Sequence, residues 1–128
     1  MKPTIVSLAL LLSTAPAFAE WTELGGSEQV TFYADTTTLA KAEGNASMWT
    51  LVSLKRPRRN GDVSFSSIRA RFEFDCPGQR VRELESHFHA GEMAAGAEVA
   101  GSTEAGVWEA LTEGTVKHEV ARLACKKD

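Results

Sequence analysis

Residues 63–76 read VSFSSIRARFEFDC and decide the fold. From Ile68 onward, apolar and charged side chains alternate without a break. One face would carry Ile68, Ala70, Phe72, Phe74 and Cys76, and the other Arg69, Arg71, Glu73 and Asp75. Successive side chains of a β-strand point to opposite faces, so this period of two predicts a strand with one buried and one wet face. Such strands are typical of antiparallel sheets.

Turn-favouring residues lie on both sides of this strand and predict that it forms a hairpin with each of its sequence neighbours. Asn60-Gly61 precedes it and Pro77-Gly78 follows it, and both pairs favour tight turns. Strong strand patterns also occupy residues 28–34, 47–55 and 79–90, and weaker ones occupy 21–24, 96–102 and 107–111. A polar turn is expected at residues 35–38, because Asp35 is followed by three threonines. The sequence therefore predicts a single antiparallel sheet of about five or six strands.

The end of the chain has a different period. After capping residues at 112–115, apolar side chains recur at Val116, Val120, Leu123 and Ala124, which is helical spacing. A single sheet has one apolar face to cover, and this amphipathic helix is the only element available to cover it. The predicted fold class is α+β, mostly β, with a C-terminal α-helix packed on one face of the sheet.

The start of the chain has the pattern of an export signal. A positive start at Lys2 precedes an apolar stretch, and Ala17-Phe18-Ala19 matches a cleavage site. We expect a cleavable signal peptide at residues 1–19 and one domain at residues 20–128. The apolar stretch is shorter than the roughly 20 residues of a spanning helix, so no transmembrane segment is expected. No cysteine follows the cleavage point, so no lipid anchor is expected, and the protein would be periplasmic or secreted.

The net charge and the two cysteines further limit the kinds of protein that this chain can be. Removing 19 of the 128 residues leaves 109, and the net charge changes from −3 to −4 with the loss of Lys2. A mildly acidic chain is not a general nucleic-acid binder. Two cysteines in an exported protein favour one disulfide, here Cys76–Cys125, which would link the helix to the sheet. Free thiols and a bridge between two chains are the alternatives.

Several of these residues together resemble the surface-adhesin protein E family. The matching features are Trp21, the run from Phe32 to Asp35, Trp49, the run from Phe72 to Cys76, Trp108 and Cys125. The resemblance implies a curved antiparallel sheet with the helix bridged to its concave side. It also implies an extracellular or envelope location and binding of host or matrix proteins, although the absence of a lipid anchor leaves a soluble periplasmic role equally compatible.

A metal site is the weaker of two candidate sites. His87 and His89 would share one face of a strand, and unbroken alternation would place Val81, Glu83 and Glu85 there too. Two imidazoles and a carboxylate can hold zinc, but a solvated polar strand face is the simpler interpretation. We therefore expect no metal and no cofactor.

A basic loop is the stronger candidate. Lys55, Arg56, Arg58 and Arg59 lie just before the Asn60-Gly61 turn and can bind phosphate, sulfated sugar or an acidic protein surface. Four further arginines on the neighbouring strands either extend this patch or form cross-strand ion pairs, namely Arg69, Arg71, Arg80 and Arg82.

No catalytic motif is present, so an enzyme is not expected. The favoured function is an exported, non-enzymatic, adhesin-like protein that binds a host or extracellular-matrix protein, with a homodimer also considered. The alternatives are a periplasmic structural or accessory protein with no host ligand, and a small metal-binding protein that uses His87 and His89.

Overall fold

A computed structural model describes residues 19–126, so residues 1–18 of the expected signal peptide lie outside the described part. The strands are β1 (Thr22–Gly26), β2 (Val30–Ala42), β3 (Asn45–Asn60), β4 (Val63–Asp75), β5 (Arg80–His89), β6 (Glu98–Ser102) and β7 (Glu109–Ala110). A 3₁₀ turn (Glu92–Ala94) lies between β5 and β6, and one α-helix, α1 (Val116–Ala124), follows β7. No helix within residues 19–126 is long and apolar enough to cross a bilayer.

All seven strands form one open, curved antiparallel sheet. The first six follow one another in sequence order, because short turns place each strand beside the last. The predicted hairpin at Asn60-Gly61 is confirmed, with Asn60 opposite Val63 and Gly61 at a φ of 62°. These six consecutive strands match the five or six that the sequence predicted. A seventh strand, β7, is two residues long and pairs with the start of β5.

The apolar face of β4 forms the centre of the core. Phe74 lies opposite Ala46 of β3 and Val81 of β5, and Phe72 lies opposite Met48. Phe74 and Met48 are completely buried. The alternation predicted for residues 68–76 is therefore confirmed, with its apolar side turned toward the helix.

Helix α1 covers this face and is bonded to it. The buried side chains of the helix are Val120, Ala121 and Ala124, and they pack in the same cluster as Phe74. Cys125, which follows the helix, forms the predicted intramolecular disulfide with Cys76 at a Cα–Cα distance of 5.6 Å. The capping expected near residues 112–115 is confirmed at Thr115, whose hydroxyl accepts a hydrogen bond from the His118 N–H.

The polar turn expected at residues 35–38 is wrong. Strand β2 continues to Ala42, and the threonines form an irregularity between Asp35 and Ala40 in the pairing with β3. The carboxylate of Asp35 accepts the Thr37 N–H, so a local side-chain contact replaces the missing ladder hydrogen bonds. The actual turn is at Glu43 and Gly44, both with positive φ.

The unbroken alternation expected along residues 79–90 is also wrong. Phe72 lies opposite Glu83 whereas the preceding Arg71 lies opposite Glu85, so Leu84 is an extra residue in β5. One extra residue reverses the faces of everything beyond it. Val81 therefore lies on the buried face, only 2% exposed, and Glu83 does not share a face with Glu85.

The disulfide gives a direct stability prediction. Its cysteines are 49 positions apart, and closing a loop of that size in the unfolded chain is worth about 4 kcal/mol. Cys76→Ser combined with Cys125→Ser should lower the free energy of unfolding by about this amount in urea titrations. Reductant should destabilise the unmodified protein similarly and leave the double variant unchanged. A urea midpoint that does not move on reduction would contradict this account of the disulfide.

Candidate functional site

The basic residues predicted as a loop lie on the far end of β3. Lys55, Arg56, Arg58 and Arg59, here called the basic arm, are exposed and extended rather than looped. Their strand pairing with β4 breaks after Ser53 and resumes at Arg58. Pro57 lies within this break, where its missing N–H leaves no ladder position empty.

The four cations of the basic arm are unpaired. Within residues 19–126, none of their side chains forms an ion pair or a side-chain hydrogen bond. The arm is anchored by its main chain, since the Lys55 N–H donates to the carbonyl of Gln29 at 2.9 Å. The four positive side chains therefore project from strand β3 and are exposed to solvent, where a binding partner could contact them.

The neighbouring arginines do not extend this positive surface. Three of them face a carboxylate directly across the sheet, in the pairs Arg71–Glu85 (3.0 Å), Arg80–Asp75 (2.8 Å) and Arg82–Glu73 (2.6 Å). Hydrogen bonding from Arg80 is the main reason that the pKa of Asp75 lies below its usual value. The cross-strand ion pairs considered from the sequence are therefore confirmed.

Two tryptophans pack against arginines on the sheet surface. The guanidinium of Arg69 lies 4.5 Å from the ring centre of Trp49, and Arg82 and Arg80 lie 4.6 and 5.1 Å from that of Trp108. These are cation–π distances. Both rings are partly buried on a sheet face, and each packs against an arginine guanidinium group.

His87 is held between two carboxylates. Its Nε2 lies 2.9 Å from Glu85 Oε1, and its Nδ1 contacts Glu98 Oε1 on β6. A neutral imidazole has only one N–H, so only the protonated ring can donate to both carboxylates. Hydrogen bonding to Glu85 accordingly raises the pKa of His87, and the same bond lowers the pKa of Glu85.

His89 shares the face of His87 but has different surroundings. It lies opposite Ser67, and its two ring nitrogens are buried without a hydrogen-bond partner. Nearby, the 3₁₀ turn is tied down by Ser67, whose Oγ accepts the Ala94 N–H and donates to the Gly91 carbonyl. Within the described residues, no group of three or more His, Cys, Asp or Glu side chains is arranged to hold a metal ion.

A cleft of about 470 Å³ separates the sheet from α1 and the segment before it. Its floor is apolar, with Phe32, Val52 and Phe72 among its lining residues. Lys117 lies at its rim, 3.5 Å from Glu109 and 5.4 Å from the Phe72 ring centre. Among the described residues that line the cleft there is no serine, cysteine or histidine. Cys76 and Cys125 are bonded to each other.

Sequence reasoning missed two of these features. Glu98, the second partner of His87, lies in an Ala- and Gly-rich segment that has no clear pattern. The cleft is lined by residues that are far apart in the chain, from β2 to α1, so no local sequence pattern predicts it. The bulge at Leu84 had one signal, because Val81 is apolar on a face that was predicted to be polar.

These features define a small disulfide-bonded domain in which a helix is linked to a sheet and, among the described residues, a basic arm remains unpaired. A model of the surface-adhesin protein E family matches residues 21–126. The chain belongs to the surface-adhesin protein E family, as its sequence motifs predicted. A search of curated proteins finds no match.

Solved structures of Haemophilus influenzae protein E share this fold. A crystal structure from a non-typeable strain is 14% identical in sequence, with a TM-score of 0.61, and the match covers 86% of this chain and 79% of that one. A second crystal form is 15% identical, with a TM-score of 0.60, and covers 73% of this chain and 79% of that one. At these identities the comparison establishes the architecture alone.

The environment of His87 predicts a pH-dependent contribution to stability. A raised pKa means that the contribution is fully present below the ordinary value of 6.5 and is lost as pH rises through the raised value. His87→Gln should therefore cost about 0.5–1 kcal/mol near pH 6 and much less near pH 9, measured by urea unfolding. His118→Gln serves as the control. An equal cost of His87→Gln at both pH values would refute the linkage.

Proposed function

We propose that this chain is an exported, non-enzymatic binding protein of the adhesin type, and that its basic arm contacts an acidic surface on a host or extracellular-matrix protein. The observation that carries the proposal is the unpaired state of Lys55, Arg56, Arg58 and Arg59 among the described residues. Family membership supports the adhesin role.

The electrostatics favour a protein contact at this position. The whole chain has a net charge of −3, so the arm is a local positive region on an acidic molecule. Such an arrangement steers an acidic partner toward one end of the sheet and repels it elsewhere. Because exposed charges are screened within about 8–10 Å at physiological salt, binding through the arm should weaken as salt rises.

The backbone of the arm supports the same function. Arg58 and Arg59 are paired with β4 beside the Gly61 turn, and the Lys55 N–H is bonded to Gln29, so the arm has less conformational freedom to lose on binding than a free loop. Pairing every cation with a carboxylate, as in the Arg82–Glu73 pair, would favour stability instead. Among residues 19–126, the basic arm is a run of four exposed cations that form no ion pair.

The location would be the cell surface or the periplasm, and the two locations imply different roles. Surface exposure fits adhesion, whereas a protein confined to the periplasm would be a structural or accessory factor. Protease treatment of intact cells compared with osmotic-shock release separates them. Degradation by external protease supports the adhesin role, and release by shock with full protection from protease contradicts it.

The role of the basic arm is tested by comparing two double variants that each remove two positive charges, one from the arm and one from α1. Beads coated with the protein are bound to epithelial-cell monolayers and to decellularised matrix. Arg58→Gln with Arg59→Gln should weaken binding about tenfold at low salt, because two charges that steer and hold the partner are lost. Lys117→Gln with Arg122→Gln removes the same charge from α1 and should change binding less than twofold.

Two outcomes would count against the proposal. Equal losses in the two double variants would show that net charge, not the arm, governs attachment. If beads coated with the protein bind no better than albumin-coated beads, the proposed adhesin function is wrong. Size-exclusion chromatography of each variant with light scattering is needed in parallel, since a homodimer would double the number of arms and raise bead avidity.

A further inference from the structure

Asp35 is a buried carboxylate close to the expected start of the mature chain. Its side chain is almost fully enclosed, with the residue 2% exposed. One carboxylate oxygen, Oδ1, accepts the Thr37 N–H at 3.0 Å and also the Thr37 hydroxyl. The other oxygen, Oδ2, accepts the main-chain N–H of Glu20 at 3.0 Å.

This carboxylate has no cationic side-chain partner. Within residues 19–126, no side-chain nitrogen of Lys, Arg or His lies within 4.0 Å of an Asp35 carboxylate oxygen. A buried ionised carboxylate is costly unless it is paired with a positive charge and hydrogen-bonded. Hydrogen bonds are present, and the positive charge is missing.

The position of Glu20 follows from the sheet. Thr22 of β1 lies opposite Ala34 of β2, and the two strands are antiparallel. The residues before Thr22 therefore run alongside Asp35 and the residues that follow it. The sequence pattern of the leader places cleavage between Ala19 and Glu20, so the nitrogen that contacts Asp35 is the one that processing would release.

We propose that Asp35 is the binding site for the α-ammonium group created when the leader is removed at Ala19–Glu20. Hydrolysis by a leader peptidase consumes one water, leaves a carboxylate on Ala19 and an amine on Glu20, and the amine takes up a proton. The nitrogen that donated one uncharged N–H then presents three N–H donors and a full positive charge. Processing thereby completes a partly buried ion pair, between the buried Asp35 carboxylate and the exposed Glu20 terminus, that the precursor lacks.

The ion pair would fasten the edge of the sheet. Strand β1 is five residues long and pairs with β2 alone, so few contacts hold the start of the mature domain. An ammonium bound at Asp35 clamps this strand immediately before it begins. Stability of the first strand would then depend on removal of the leader.

Asp35 also has a local role that must be separated from this one. Its contacts to Thr37 support the irregular part of β2 whatever the state of the N-terminus. Asparagine retains an oxygen that can accept those bonds but has no charge. Asp35→Asn therefore removes the proposed ion pair and keeps the local contacts.

The test compares two N-termini in two backgrounds. The mature chain beginning at Glu20 and a chain that retains Phe18-Ala19 are each prepared with Asp35 and with Asp35→Asn. With Asp35, retaining the two residues should increase the unfolding equilibrium constant about tenfold, because the charge moves away while the Glu20 N–H stays. In the Asp35→Asn background, the two N-termini should agree within twofold.

Acetylation of the α-amine of the mature chain provides a measurement that needs no substitution. Acetylation removes the positive charge and keeps one N–H, so it should also increase the unfolding equilibrium constant about tenfold. The proposal is overturned if acetylation has no effect, or if the extension is equally destabilising with Asp35→Asn. An intact mass showing that the exported protein begins at a residue other than Glu20 would overturn it as well.

Discussion

The rest of the structure depends on the contact between α1 and the apolar face of the sheet. A single curved sheet exposes one apolar face, and here that face includes Phe74, Met48 and Val81. The nine residues of α1 cover its centre, through Val120, Ala121 and Ala124. A helix of this length is marginal in water, so it needs the packing, and the packing needs the helix held in place. The Cys76–Cys125 bond supplies that restraint at the point where the helix ends.

Helix α1 covers that face in part, with the apolar cleft between them, and the proposed binding surface is instead defined by the distribution of charge. The outer face of β4 and β5 carries cross-strand ion pairs such as Arg71–Glu85, in which each positive side chain lies beside a negative one. Trp49 and Trp108 are each covered by arginines on the surface of the sheet. Within residues 19–126, the four neighbouring cations of the basic arm form no ion pair. This is why the proposed adhesin-type binding is assigned to the basic arm.

Much of the architecture could be predicted because strong local signals agreed with one another. The alternation along residues 68–76, the helical spacing from Val116 and the two cysteines all indicated the same arrangement of sheet, helix and bridge. Predictions failed where a strand was irregular. Leu84 is one extra residue in β5, and no simple period shows where such an insertion falls. The threonines after Asp35 resemble a turn, yet the Asp35 side chain lets β2 continue through them.

The sequence alone determined the class of fold, the number of cysteines, the basic and histidine-containing segments and the family, because these depend on residue identity and short-range spacing. Only the tertiary structure decided which charges are paired, since a cation is free or neutralised according to the strand register opposite it. The same applies to His87, whose partner Glu98 lies on another strand, and to Asp35, which meets the main chain of Glu20. These contacts join residues 11 and 15 positions apart. They exist only once the strands have paired.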